Sequence, residues 1–168
     1  MDVTVAELRK LESKLGEVMG LATAARAATE RVQVLLGDGD SGLAATLKKM
    51  NQEASETETR CLDVAANFEG KKSSIQEQAR STSQKGAEML KSYLDPNADA
   101  LDGFEFLTII EAAEVGHWNV LKVMNDRAGD EAITELVTWA LPIQERHYSD
   151  ASESAKQLAA DTDPAQPA

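Results

Sequence analysis

The apolar residues recur at steps of three, four and seven along most of the chain, which is the period of α-helices that bury one face. In the first segment this face runs from Leu8 to Leu36, and Thr4 and Glu7 have the spacing of a helix capping box. The second segment follows the turn sequence GDGDSG and runs from Leu43 to a stop at Gly70. The pattern therefore predicts two long helices that can pack together as a hairpin.

Three further segments have helical character. Residues 71–94 are polar and serine-rich with a weak apolar face, which predicts a helix packed at the periphery. Residues 100–127 and 131–160 have clearer apolar faces, and Gly129 followed by Asp130 indicates a helix end and a new N-cap between them. The last two helices are therefore expected to form a second hairpin.

Two long hairpins joined by a less apolar helix are typical of a four-helix bundle with one additional helix. We therefore predict a single all-α domain over residues 1–160, a length that can bury a sizeable core. Residues 161–168 are expected to form a disordered tail.

The composition is acidic, with 29 Asp and Glu against 17 Lys and Arg and a net charge of -12. This charge opposes nonspecific binding to nucleic acid or anionic lipid. No run of about 18 apolar residues suggests a membrane span, and the amino terminus lacks the pattern of a secretory signal. The single cysteine, Cys61, excludes an intramolecular disulfide. We expect a cytoplasmic protein, and a homodimer that buries leftover apolar stripes.

The fourth predicted helix carries carboxylates among its apolar residues. Its periodicity puts Glu114 on the core side, with Glu111 and His117 flanking it. In an antiparallel hairpin that turns near residue 128, both glutamates come within about a turn of Gln144 and His147. The sequence thus predicts a polar layer in the middle of the second hairpin.

Glutamate and histidine are common ligands of iron, manganese and zinc, and buried carboxylates are costly unless they are paired or bind a cation. One interpretation of the polar layer is therefore a metal site. The alternative is that Glu111 and His117 lie at the bundle surface while Glu114 and His147 hydrogen-bond each other. In the first hairpin Glu53 and Glu56 border the apolar face of the second helix, opposite an alanine-rich stretch of the first helix. A symmetric two-metal site would need a carboxylate on the first helix, so we expect a single-metal or asymmetric site.

Three stretches of the chain resemble the ferritin-like superfamily, most of all its bacterial YciF-like stress-protein family. They are NQEASETETRCLDVAANF in the second helix, DALDGFEFLTIIEAAEVGHW in the fourth and LPIQERHY in the fifth. The resemblance implies a ferritin-like four-helix bundle with one additional helix between two antiparallel hairpins. It also implies metal ligands at Glu53, Glu56, Glu111, Glu114, Gln144 and His147. Gln144 stands where the family has an acidic residue, and the first helix shows no matching carboxylate.

The function implied by the resemblance is that of a stress-associated protein that binds iron or another divalent transition metal in the bundle and handles iron or oxidants. The alternative is a non-enzymatic interaction or protective protein whose buried polar layer holds no metal. The sequence leaves catalytic turnover and substrate open.

A second candidate metal site lies in the loop before the fourth helix. Asp95, Asn97 and Asp99 alternate there as in a calcium-binding EF-hand, and Glu105 could be the closing ligand. The loop lacks the central glycine of that motif and is one residue short. The alternative is an ordinary loop in which Asp99 or Asp102 caps the next helix.

Overall fold

The computed structural model describes residues 6–168 of the chain. Within them it contains five α-helices and no strand, which confirms the predicted all-α class. The helices are α1 (Lys10–Leu36), α2 (Ser41–Ala65), α3 (Lys72–Tyr93), α4 (Ala100–Ala128) and α5 (Glu131–Ala160). None of the described helices has the length and apolar character needed to cross a membrane.

The ends of the first two helices differ from the prediction. α1 begins later than expected, because Glu7 is not helical, and Thr4 lies outside the described residues. Glu12 takes the capping role instead, since its carboxylate accepts a hydrogen bond of 2.8 Å from the backbone N–H of Arg9. α2 ends before Gly70, whose positive φ of 73° lies in a turn that leads directly into α3.

Four of the helices pack as a closed ring in the order α1, α2, α5, α4. Each helix therefore has two neighbours in the ring, and every neighbouring pair is antiparallel. The contacts that set these directions are Thr23–Glu58 and Asn51–Thr29 between α1 and α2, Asp40–Gln157 and Glu53–Arg146 between α2 and α5, Asn125–Thr134 and Glu111–His147 between α4 and α5, and Val32–Gly103 and Glu17–His117 between α1 and α4.

The remaining helix, α3, lies outside the ring and packs mainly along α1, as its weak apolar face predicts. Small residues allow this close approach. A Cβ on Gly20 would lie 2.3 Å from the carbonyl oxygen of Ala79, and a Cβ on Gly86 would lie 2.5 Å from the Cβ of Ala24. α3 thus connects the two hairpins while running parallel to α1.

Two apolar clusters form the core of the bundle, and a polar layer separates them. On α4 the first cluster ends at Ile110 and the second begins at Trp118. On α5 the second cluster ends at Ala140, whereas Ala151 belongs to the first. The buried polar residues between these boundaries are Glu111, Glu114, Gln144 and His147.

Candidate functional site: the buried polar layer

The polar layer is built by α4 and α5, which present two polar residues each. Glu111 and Glu114 lie three residues apart on α4, so both can share one side of the helix. Gln144 and His147 have the same spacing on α5, and the two helices are antiparallel neighbours. The side chains of all four residues are at most 1% exposed, so the predicted meeting of these residues inside the hairpin is confirmed.

Gln144 links the two carboxylates. With its amide nitrogen facing them, it donates hydrogen bonds of 3.2 Å to Glu111 Oε2 and 3.1 Å to Glu114 Oε2. His147 lies beside them, with its Nδ1 3.6 Å from Glu111 Oε2, which is beyond ordinary hydrogen-bonding distance. The layer therefore contains a bridged carboxylate pair next to an imidazole that lacks a close partner.

Burial controls the charge of the carboxylate pair. It raises the pKa of Glu114 well above its ordinary value, and the negative charge of Glu111 and a hydrogen bond between the two carboxyl groups raise that pKa further. Burial and the neighbouring carboxylate thus favour the protonated form of Glu114. Burial also raises the pKa of the Cys61 thiol on α2, which keeps it uncharged.

Of the two candidate glutamates on α2, the structure brings only Glu53 to the layer. Its Oε2 lies 3.8 Å from His147 Nε2, and the same carboxylate forms an ion pair with Arg146. Glu56 instead lies about half exposed and forms a 2.8 Å salt bridge with Arg60 on the same helix. Glu56 is thus outside the polar layer, and Glu53 borders it.

Several buried polar atoms around the layer have no hydrogen-bond partner among the described residues. They are Glu53 Oε1, Glu114 Oε1, Trp118 Nε1 and His147 Nε2. An unpaired buried polar atom costs about 1–3 kcal/mol, and such atoms are usually satisfied by water, an ion or a ligand. Trp118 was not a candidate from the sequence, although its position four residues after Glu114 indicates the same side of α4.

The side of the layer formed by α1 is apolar. In the antiparallel register of α1 and α4, Ala25 lies within about two residues of the level of Glu111, and Ala22 within about two residues of the level of Glu114. Both alanines are buried, at 1% and 0% exposure. The alanine-rich stretch, which the sequence placed opposite Glu53 and Glu56, thus also faces the carboxylates of α4, and the two alanines supply no ligand atom there.

The buried positions of α2 repeat the spacing of those on α5, with different chemistry. Ala54 and Thr57 are buried three residues apart, as are Gln144 and His147. The Thr57 hydroxyl donates a 2.8 Å hydrogen bond to the backbone carbonyl of Glu53 and is thereby occupied. The second hairpin thus carries almost all of the ionisable groups of the layer.

His117 and the acidic loop lie apart from this layer. The His117 side chain is 38% exposed, with Nδ1 2.8 Å from the carbonyl oxygen of Ala113. In the loop Asp99 Oδ1 accepts a 2.9 Å hydrogen bond from the backbone N–H of Asp102, and Asp102 Oδ2 accepts one of the same length in return. The capping interpretation of this loop is therefore confirmed, and Asp99 uses its carboxylate to begin α4.

In residues 6–168, no group of three or more His, Cys, Asp or Glu side chains is arranged so that it could hold a metal ion. Comparison of the chain with protein-family models, curated proteins and solved structures gives no match. The resemblance to the ferritin-like superfamily therefore stays a prediction.

Proposed function

We propose that this protein is a ferritin-like helical bundle that binds one divalent transition-metal ion, iron(II), manganese(II) or zinc(II), in its buried polar layer. The observation that carries the proposal is the set of unpartnered buried atoms, Glu53 Oε1, Glu114 Oε1 and His147 Nε2, around a carboxylate pair. Carboxylate oxygen and imidazole nitrogen together suit these ions.

The helix arrangement supports the ferritin-like part of the proposal. Bundles of this superfamily place metal ligands on facing helices at the middle of the core. In the present chain the ring of antiparallel helices has its polar layer at that depth, between two apolar clusters. The connection between the hairpins is made by α3, which leaves the ring closed.

The residues that would hold the ion are Glu111, Glu114, His147 and Glu53. Two atoms bound to one ion at about 2.1 Å each are at most about 4.2 Å apart. The 3.8 Å between His147 Nε2 and Glu53 Oε2 satisfies this limit. The 3.6 Å to Glu111 is measured from the other ring nitrogen, Nδ1, so Glu111 must move to reach an ion bound at Nε2. A cation would also stabilise the charged form of Glu114, so binding is expected to release its proton.

A single ion fits the layer better than a pair. In di-metal carboxylate bundles two helices each give a glutamate and the other two each give a Glu-x-x-His pair. Here α1 presents Ala22 and Ala25, and α2 presents Ala54 and Thr57, at the buried positions of the layer. The bound metal would supply Lewis-acid or redox chemistry; iron oxidation or oxidant handling, implied by the resemblance, depends on which metal binds.

A metal-free hydrogen-bond network is the second candidate, because Gln144 already bridges Glu111 and Glu114. In that case the layer fixes the register of the two hairpins, and the protein acts through its acidic surface. The two candidates differ in whether the layer gains stability from an added ion.

Isothermal titration calorimetry distinguishes them, with iron(II) under anaerobic conditions and with manganese(II) and zinc(II). We expect one ion per chain, and at least about 10-fold weaker binding in His147→Ala and Glu114→Ala. Glu56→Ala is the matched control, because this glutamate lies on the surface, paired with Arg60. Unchanged binding in both layer variants would contradict the proposed site, and loss of binding in Glu56→Ala would place the ion elsewhere.

A further inference from the structure

The outer surface of α4 carries an exposed row of residues whose spacing is the same when read in either direction. The row consists of Glu105, Ile109, Ala112, Gly116, Val120, Val123 and Arg127, all of which are exposed. Steps of four and three residues keep them on one side of the helix, within about 40° of Gly116. We call this row the outer α4 face.

The apolar part of the outer α4 face is open to solvent. Ile109 is 41% exposed, Val120 42% and Val123 63%, which are high values for large apolar side chains. At the centre, a Cβ placed on Gly116 would meet no atom within 4 Å. Beside Ile109 the exposed residues Met89 and Tyr93 of α3 extend the apolar surface.

We propose that the outer α4 face is a homodimer interface in which two copies of α4 pack antiparallel about a twofold axis at Gly116. In this arrangement Ile109 of one copy lies opposite Val123 of its partner, and Ala112 lies opposite Val120. A twofold interface uses the same surface on both subunits, which is why a row with symmetric spacing about its centre fits a second copy of the same chain.

The charges at the two ends of the face also fit a second copy. Glu105 and Arg127 lie eleven residues on either side of Gly116, so the antiparallel arrangement brings the glutamate of one copy to the arginine of the other, twice per dimer. In the described part of the chain neither residue has a salt-bridge partner, and the neighbouring ion pair of α4 joins Lys122 to Asp126. A parallel arrangement would place like charges together.

The size of the face predicts a weak dimer. From Glu105 to Arg127 the helix is about 33 Å long, and a strip about 10 Å wide on each copy buries roughly 700 Å² in total. Interfaces of this size are typical of transient complexes, so we expect a dissociation constant of about 1–100 μM. The charge of -12 on each chain adds repulsion that salt screens, so the measurement belongs at about 0.15 M ionic strength.

Sedimentation equilibrium tests the interface. We expect the wild-type mass to rise from 18.1 kDa toward twice that value with concentration. Val123→Glu should weaken the dimer at least about 10-fold, because it buries a charge against Ile109 of the partner. Val34→Glu is the matched control: Val34 is 72% exposed on α1, away from the outer α4 face, and its substitution should leave the dimer unchanged.

Charge reversal tests the antiparallel orientation. Glu105→Arg and Arg127→Glu should each weaken the dimer by about 3- to 30-fold, since each places like charges together twice. The double variant should restore most of the wild-type affinity, because the pairs are then formed with the signs exchanged. A double variant weaker than both single variants would overturn the orientation.

Cysteine cross-linking tests the register. At an interaxial distance of about 8–10 Å the two Cα atoms of residue 116 are about 3–5 Å apart, which allows a disulfide. Gly116→Cys should therefore cross-link to itself on mild oxidation, whereas Val123→Cys should not, because the two copies of residue 123 are about 21 Å apart. A wild-type protein that stays at 18.1 kDa at high concentration would overturn the proposal.

Discussion

Replacement of Glu114 by glutamine should change how the stability of the metal-free protein depends on pH. The folded protein holds a proton on Glu114, whose pKa burial and the charge of Glu111 raise, whereas the unfolded chain loses this proton above the ordinary value of 4.5. Folding therefore takes up a proton in this window, and stability falls as pH rises from 4.5 to the raised pKa. Glutamine has no proton to lose and can still donate a hydrogen bond to Glu111.

The magnitude follows from proton linkage. Each pH unit between the ordinary and the raised pKa of Glu114 costs the wild-type protein about 1.4 kcal/mol of unfolding free energy. The advantage of Glu114→Gln over wild type should therefore grow by about 1.4 kcal/mol per pH unit and become constant above the raised pKa. A domain of this size is typically stable by about 5–15 kcal/mol, so a change of this size is readily measured.

Urea unfolding followed by circular dichroism, at about pH 5, 6 and 7 in the presence of a chelator, provides the comparison. Glu56→Gln is the control, because the exposed Glu56–Arg60 pair contributes at most about 1 kcal/mol without a comparable pH dependence. If the free-energy difference between Glu114→Gln and wild type were the same at all three pH values, the protonated state of Glu114 in the folded protein would be disproved.

Four further predictions concern the rest of the bundle. Gly20→Ala should destabilise the protein by about 1–3 kcal/mol, because the added methyl group meets the carbonyl of Ala79. Gly116→Ala should stabilise the monomer by about 0.5–1 kcal/mol, because alanine has the higher helix propensity and its Cβ would contact no other atom. Denaturant titrations of dilute protein measure the stability of both glycine variants. Burial raises the pKa of Glu12, but hydrogen bonds from Arg9 and Lys71 outweigh it, and the pKa is lowered. Glu12→Gln should therefore be less stable than wild type above pH 4.5. The difference in unfolding free energy between the two proteins should shrink as pH falls below that value, which acid titrations measure. Cys61 should react with a thiol reagent only when the protein unfolds, which a time course with and without denaturant checks.

The second hairpin could be predicted from the sequence almost completely. The residues Gly129 and Asp130 end α4 and cap α5, and the Asp130 side chain accepts the backbone N–H of Ile133 as expected. With the turn fixed, helix geometry alone determines that Glu111 and Glu114 meet Gln144 and His147. This part of the structure could be predicted because the connection between α4 and α5 is short and the apolar residues of both helices recur with helical spacing.

The start of α1 depended on tertiary contacts, which the sequence pattern does not report. The carboxylate of Glu12 is buried and pairs with Lys71 from the turn before α3 as well as with Arg9. This pairing, which joins residues distant in sequence, favours a helix start at Lys10 over the local capping signal at Glu7.

The difference between Glu53 and Glu56 was available from helix geometry but not from the three-residue spacing alone. The buried stripe of α2 is centred near Ala54 and Thr57. Glu53 lies about 80° from the centre of that stripe, and Glu56 lies about 140° from it, so only Glu53 can reach the core. The ion pair between Glu53 and Arg146 depends on the packing of α2 against α5, which no local pattern specifies.

The metal content of untagged protein, purified without chelator, tests the central claim most directly. Mass spectrometry of the digested protein should find about one iron, manganese or zinc ion per chain, and His147→Ala purified in the same way should contain far less. A metal-free wild-type protein that neither binds added iron(II), manganese(II) or zinc(II) nor gains thermal stability from them would contradict the claim and identify the polar layer as a hydrogen-bond network bridged by Gln144.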